Sequence, residues 1–251
     1  MKKIIAALCA AGALLLSGCA GSGYNAMANY DFAEMNTDFI QLKAPREGDT
    51  IAVIDTDYGE IRAVIYEELC PNTSQAFISH AKAGDYDNKP VYGVMKDCYF
   101  LTGGNENEKG VYTGRKSDDE LVAAECSTEL WPFRGALMAF SEKPGFSDAR
   151  WFICNDDKEG LTEEAINDLK QKAIDGDEDE RDNLLALFDA FYTTRGLFGL
   201  SGVYTVFGQA YEGLDVIEKL CAIPAEDNLR AKEDVMIKSV TISQYKAEEN
   251  S

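Results

Sequence analysis

The sequence predicts a mainly β domain with helices, and three observations carry that reading. Short apolar runs of strand length recur along the chain, at residues 51–54, 61–66, 98–101, 136–140, 151–154 and 204–207. Two segments near the two ends of the domain, 71–82 and 213–221, have helical spacing instead. A third stretch, residues 161–195, is polar, acidic and built as two helices back to back. Periodicity alone leaves an antiparallel barrel and a sandwich both open.

The elements follow in order. Ile51 to Ile54 and Ile61 to Tyr66 flank Asp57-Tyr58-Gly59, a hairpin with glycine supplying the turn. Pro71 opens a helix that carries Phe77 and Ala81 on one face and stops at Gly84. Gly213 opens another, with an apolar stripe of Leu214, Ile217, Leu220 and Cys221. A final strand runs through Val235-Met236-Ile237 and Val240-Thr241-Ile242, with an irregularity expected near Lys238-Ser239. In the 161–195 insertion, Thr162 is placed to cap a helix whose first turn holds Glu163 and Glu164, where the helix dipole favours acids. Ile166, Leu169 and Ala173 form its thin apolar face, residues 175–180 break it, and Leu184, Leu185, Phe188 and Phe191 mark a second helix. The product is a helical hairpin, either beside the site as a gate or simply covering domain surface.

The amino-terminal residues read as an address. Lys2 and Lys3 precede an apolar run from Ile4 to Leu16, which suits a signal peptide and is too short to span a bilayer. The run ends in Leu16-Ser17-Gly18-Cys19, which resembles the lipobox of bacterial lipoproteins. The resemblance implies cleavage before Cys19, acylation of its thiol, and residence on the extracytoplasmic face of a bacterial membrane. The expected organisation is a signal peptide over 1–18, a lipid-anchored tether over 19–48, one domain over 49–246 and a tail over 247–251. Within the tether, Tyr30, Phe32, Phe39 and Ile40 are able to dock locally.

Loss of the signal removes Lys2 and Lys3 and no acid, so the formal charge moves from −20 to −22. Such a surface repels nucleic acid and anionic headgroups, and neither is an expected partner. A monomer is expected. Of seven cysteines, Cys9 leaves with the signal and Cys19 is taken by lipid. Cys70, Cys98, Cys126, Cys154 and Cys221 remain, an odd number whose spacings match no zinc site. A Cys98–Cys126 disulfide is allowed outside the cytoplasm but not established by the sequence.

Three blocks carry a family resemblance. The first is Val91-Tyr92-Gly93-Val94 with Tyr99-Phe100-Leu101-Thr102-Gly103-Gly104, and the second is Met138-Ala139 with Trp151-Phe152-Ile153-Cys154. The third is Tyr204-Thr205-Val206-Phe207-Gly208 running into Gly213-Leu214-Asp215-Val216-Ile217. Together they resemble the cyclophilins, a family of peptidyl-prolyl cis-trans isomerases, over about residues 50–160 and 196–245. The resemblance implies a closed antiparallel β-barrel capped by two helices, with the helical hairpin inserted. It implies isomerisation of proline bonds, here in secreted or surface proteins, with no cofactor and no metal.

Carried over residue by residue, the resemblance makes Phe152 the floor of a proline pocket. Tyr99 falls where the family has phenylalanine. Ala139 and Leu200 line the groove, and Tyr204 stands at a pocket position usually held by histidine. Thr102 replaces a glutamine that binds the substrate backbone. Gly199 falls near the usual tryptophan, with Phe198 adjacent. Gly93 falls where the family has the arginine that acts on the prolyl nitrogen. Strand alternation offers a substitute: Arg150 and Phe152 are two apart and share a face, so Arg150 is expected to enter the groove and act there with Tyr99 and Thr102. The alternative readings are that Arg150 pairs with surface acids, and that the protein is a weak or inactive peptide-binding module. Phe198 or Trp131 filling the groove would favour that module.

Other residues have plainer readings. His80, the single histidine, sits three residues from Phe77 and reads as structural. Asp175, Asp177 and Asp179 resemble the start of a calcium loop, but Glu180 and Ala186 occupy its glycine and glutamate positions, so a solvated acidic loop is expected. Gly103-Gly104 lacks the basic residue and helix start of a phosphate cradle.

Overall fold

The structure is a computed structural model that describes residues 30–106, 112–113, 121–143 and 145–247. The signal segment and Cys19 lie outside the described residues.

Strands β1 (Thr50–Thr56) and β2 (Gly59–Ile65) form the expected hairpin, in register from Ile51 opposite Val64 to Thr56 opposite Gly59. Gly59 has φ 130°, and the Thr56 hydroxyl ties the turn by donating to its carbonyl at 2.7 Å. Helix α1 (Pro71–Lys82) follows, burying Phe77, Ile78 and Ala81. Its own N-cap, Cys70, gives no side-chain bond, so the cap comes from a distant residue. Glu125 accepts from Asn72 N at 3.2 Å and Thr73 N at 2.8 Å.

The chain then lays down β3 (Lys89–Pro90), β4 (Gly93–Met95), β5 (Tyr99–Gly103), the small pair β6 (Asn105–Glu106) and β7 (Tyr112–Thr113), β8 (Val122–Ala123), β9 (Ala136–Phe140), β10 (Phe146–Ser147) and β11 (Arg150–Cys154). Beyond an insertion come β12 (Val206–Glu212) and β13 (Met236–Gln244). Nine of these strands make one antiparallel sheet in the order β3-β13-β1-β2-β12-β9-β11-β5-β4. It curls as the barrel expectation requires, but its edge strands β3 and β4 are not paired with each other. They are joined through Val91 and Tyr92, so the chain rather than a hydrogen-bonded ladder spans the gap. Among the described residues the sheet is a curled half-barrel, and its strict closure is not shown. The irregularity expected in β13 appears where its register against β1 shifts between Asp55 and Thr56.

Helix α2 (Glu163–Ile174) and helix α3 (Glu178–Thr194) form the inserted hairpin. Thr162 caps the first by accepting from Ala165 N at 3.1 Å, and Asp177 caps the second by accepting from Asp179 N at 3.1 Å. The turn between the helices is thus residues 175–177, and Glu178, Asp179 and Glu180 already form the first turn of α3. Helix α4 (Leu214–Cys221) buries Val216, Ile217, Leu220 and Cys221, while Leu214, assigned to its apolar stripe, is exposed.

Two apolar clusters result. The larger fills the curl of the sheet with Phe100, Leu137, Trp151, Ile153, Phe207, the buried faces of α1 and α4, and others. The smaller joins the hairpin to Phe32, Met35, Phe39, Trp131, Phe133 and Phe198. Residues 30–42 therefore pack against the domain rather than forming free tether. Phe32 and Phe39 bury, Tyr30 stands edge-on to Trp131 with ring centroids 5.8 Å apart, and Ile40 packs on the main cluster. Among the described residues, no helix is long and apolar enough to cross a membrane. Cys70, Cys98, Cys126, Cys154 and Cys221 are all free thiols, so the allowed Cys98–Cys126 bridge is not formed.

Candidate functional site

Residues directly opposite one another in an antiparallel sheet project from the same face, and neighbours along a strand from opposite faces. Phe152 lies opposite Leu101 on β5 and Met138 on β9, and Leu101 in turn lies opposite Gly93 on β4. Arg150 lies opposite Gly103 and Phe140. One face of β4-β5-β11-β9 therefore carries Gly93, Leu101, Phe152, Arg150 and Phe140. The other carries Phe100, Thr102, Trp151 and Ala139, and belongs to the core beneath α1, where Trp151 meets Phe77 at 5.7 Å between ring centroids.

On the first face, Phe152 is 1 % exposed and is surrounded by rings. Tyr99 lies 5.2 Å from it, Tyr204 5.4 Å and Phe140 6.5 Å, centroid to centroid. Phe140 and Tyr204 also stack on each other at 5.7 Å. Tyr99, Leu101, Phe140 and Tyr204 are half-buried, so a ligand reaches their edges first and Phe152 only as they move. The result is an aromatic cradle on the sheet face, suited to a saturated ring. Burial pushes the Tyr99 hydroxyl well above the ordinary tyrosine range, so it stays protonated as a neutral donor.

The structure brings together Phe152, Tyr99, Tyr204 and Arg150 of the residues expected from sequence. Thr102, Ala139 and Phe198 are placed elsewhere, while Leu200 shares the buried cluster of Phe152. Thr102 faces the core, 0 % exposed, and its hydroxyl donates to the Pro90 carbonyl at 2.9 Å. Ala139 turns its side chain to the Trp151 face, and its N–H donates to Thr205 O at 3.0 Å. Leu200 is buried in the main cluster. Phe198 belongs to the hairpin cluster, 5.1 Å from Phe191 and 5.6 Å from Phe188, and Trp131 belongs there too. Neither fills the cradle. Phe140 was missed by the sequence reading; its signal was the same alternation that joined Arg150 to Phe152, carried across to β9.

Arg150 enters the expected face, with its guanidinium carbon 4.9 Å from the centre of the Phe140 ring. Its donors are committed, however. Nε and Nη2 grip both oxygens of Asp148 at 3.0 and 2.7 Å, while Nη1 donates to Glu142 at 2.8 Å and to the Tyr112 carbonyl at 3.2 Å. Four of the five N–H bonds of a guanidinium are used this way. Burial alone would loosen its proton, but the bonds to Asp148 and Glu142 outweigh burial and hold the pKa above the ordinary arginine value. The donor role expected of Arg150 is thereby replaced by a pinning role: it ties Tyr112 of β7, Glu142 and Asp148 together at the rim of the cradle.

Gly93 is buried, and a Cβ there would meet Leu101 Cβ at 3.2 Å. Its φ is not in the left-handed region, so its backbone does not call for glycine. His80 bonds Asp85 through Nδ1 at 2.8 Å on the surface of α1, away from the cradle.

Comparison with known proteins agrees with this architecture. The family described as "Cyclophilin type peptidyl-prolyl cis-trans isomerase/CLD" matches residues 51–242. The chain therefore belongs to the cyclophilin-type peptidyl-prolyl isomerase family. Among curated proteins it is 26 % identical over 207 residues to a Staphylococcus saprophyticus protein named "Putative peptidyl-prolyl cis-trans isomerase", covering 82 % of this chain and 98 % of that one. A protein of the same name from Staphylococcus aureus is 26 % identical over 223 residues, covering 87 % of this chain and 100 % of its own. The fold matches a Cryptosporidium parvum cyclophilin-type isomerase crystallised in the presence of the dipeptide Ala-Pro, with a TM-score of 0.55 at 19 % identity, covering 77 % of this chain and 98 % of that one.

Proposed function

We propose that this chain isomerises proline peptide bonds in secreted or surface proteins while held at the outer face of a bacterial membrane by lipidated Cys19. The observation that carries the reading is the cradle of Tyr99, Phe140 and Tyr204 around Phe152. Rotation about a peptide bond meets a barrier of about 18–20 kcal/mol set by amide resonance. Catalysis needs neither nucleophile nor metal. It needs a surface that holds the proline ring and favours the twisted amide over both planar forms. Three half-buried rings over a buried fourth supply the apolar hold, and the neutral Tyr99 hydroxyl adds a donor at its edge.

A second reading is favoured by a specific observation: Arg150 is engaged with Asp148 and Glu142, Thr102 faces the core, and Gly93 has no side chain. A groove short of donors suits a module that binds proline segments without accelerating their exchange. NMR exchange spectroscopy on a short X–Pro peptide with catalytic amounts of the full chain separates the two. Exchange faster than in buffer, and lost in Phe152→Ala, supports the isomerase. Peptide shifts at high protein concentration without faster exchange support the binding module.

A further inference from the structure

We propose that Arg230, reaching across from the loop between α4 and β13, supplies the groove with the guanidinium that position 93 lacks. The inference deepens the isomerase reading and rests on it. Val94 N donates to Leu229 O at 2.8 Å and Ala231 N to Tyr92 O at 3.1 Å, which makes Gly93 and Arg230 partners in an antiparallel bridge. Residues placed between such bonds form the pair without mutual hydrogen bonds, the one whose side chains approach most closely and leave the sheet on the same face. Gly93 shares its face with Leu101, and Leu101 with Phe152. Arg230 is thereby directed to the face of the aromatic cradle, across β4.

The glycine now has a purpose that its backbone angles do not provide. Any Cβ at position 93 would stand 3.2 Å from Leu101 Cβ, within the corridor between Arg230 and the cradle. With no side chain there, the long apolar stem of Arg230 has room to lie over the strand. The loop itself is held for this. Leu229 has φ 69°, a rare conformation for a bulky residue and one that persists only where its surroundings impose it. Glu226 N donates to Arg230 O at 2.8 Å, Leu229 N to Glu226 O at 2.9 Å and Arg230 N to Asn228 Oδ1 at 3.0 Å. Arg230 is exposed, and among the described residues its guanidinium has no hydrogen bond or ion pair, in a chain with 44 acidic against 24 basic side chains. Arg150, four of whose donors are spent, offers the contrast.

The chemistry follows from the amide. As the C–N bond twists, the nitrogen lone pair leaves resonance and becomes an acceptor. A guanidinium N–H donated to it is stronger in the twisted state than in either planar one, so it lowers the barrier. No covalent bond is made or broken and the proton stays on Arg230.

The test uses the full chain, a short X–Pro peptide and exchange spectroscopy, with peptide affinity measured in parallel by titration. Arg230→Ala is expected to lower kcat/KM roughly 100-fold, the size seen on removing one transition-state donor, with peptide affinity nearly unchanged. Arg230→Lys should retain more activity than Arg230→Ala. The Arg230 Nε–H resonance, assigned by its loss in Arg230→Lys, should shift as peptide is added to the wild-type chain. An active wild type with an equally active Arg230→Ala overturns the proposal and leaves the isomerase reading standing. A wild type no faster than buffer overturns both. Should Arg230→Ala fold poorly, the Nε–H resonance decides: a shift with peptide supports the contact, and none overturns it.

Discussion

At the scale of single residues, the candidate site is decided by which side chains still have something to offer. Phe152 offers an apolar floor but is itself covered, so its truncation is both a stability and a function experiment. Phe152→Ala is expected to cost about 3–5 kcal/mol, the range for a fully buried aromatic, read as a lowered Tm, and to abolish binding of proline peptides. Retention of peptide affinity in a folded Phe152→Ala protein would show that the cradle is not the site. Arg150 makes a different prediction. Its partner Asp148 has a side chain with 0 % exposure, so Arg150→Ala leaves a buried carboxylate uncompensated and is expected to cost about 3–5 kcal/mol. Replacing both, as Arg150→Met with Asp148→Leu, should cost much less than the sum of the single changes, because neither charge is then stranded. Denaturant unfolding of the single and double variants checks the coupling; strict additivity would remove the pinning role.

At the scale of elements, most strands and helices follow from local pattern, but their ends depend on distant residues. Helix α1 is the clearest case, since Pro71 starts it while Glu125 caps it. Burial raises the Glu125 pKa, but the bonds from Thr73 and Asn72 outweigh burial and hold it below the ordinary carboxylate value. A carboxylate depressed in the folded state contributes stability above its unfolded pKa and loses that contribution as pH falls through the folded value. Glu125→Ala is therefore expected to cost about 1 kcal/mol at neutral pH, as loss of a helix cap does, and to flatten the acid limb of a stability–pH curve. An unchanged acid limb in the variant would contradict the cap. The inserted hairpin shows the opposite balance: its helices and caps at Thr162 and Asp177 are local, and its docking is not.

At the scale of the whole molecule, the second cluster ties segments far apart in sequence. Gln41 is its bolt. Its amide donates to Trp131 O at 2.8 Å and to Gln209 Oε1 at 2.9 Å, and its oxygen accepts from Trp131 N at 2.6 Å. Gln41→Ala strands those buried groups and is expected to cost about 1–3 kcal/mol. Hydrogen exchange should then quicken first in α2 and α3 and in residues 30–42; uniform quickening across the sheet would mean that the two clusters are not separable. The same organisation bears on where the hairpin sits. Its apolar face is spent on Phe32, Met35, Phe39, Trp131 and Phe133, and none of the cradle rings belongs to that cluster. Of the two readings that sequence left open, surface cover is the one its contacts support.

The sequence by itself determined the periodic parts: the β1–β2 hairpin, the helices at Pro71 and Gly213, the two inserted helices with the Thr162 cap, and the face shared by Arg150 and Phe152. Those rest on local sterics, capping and a side-chain period of two, which operate within a few residues. Only the tertiary structure decided the rest. It turned Thr102 toward the core, because Thr102 stands opposite Trp151 rather than opposite Phe152. It committed Arg150 to Asp148 and Glu142, brought Phe140 into the cradle from another strand, and set Arg230 against Gly93 across a gap of more than a hundred residues. Such pairings depend on strand register and on the few ångströms over which donors meet acceptors, and neither is written in the spacing of residues along the chain.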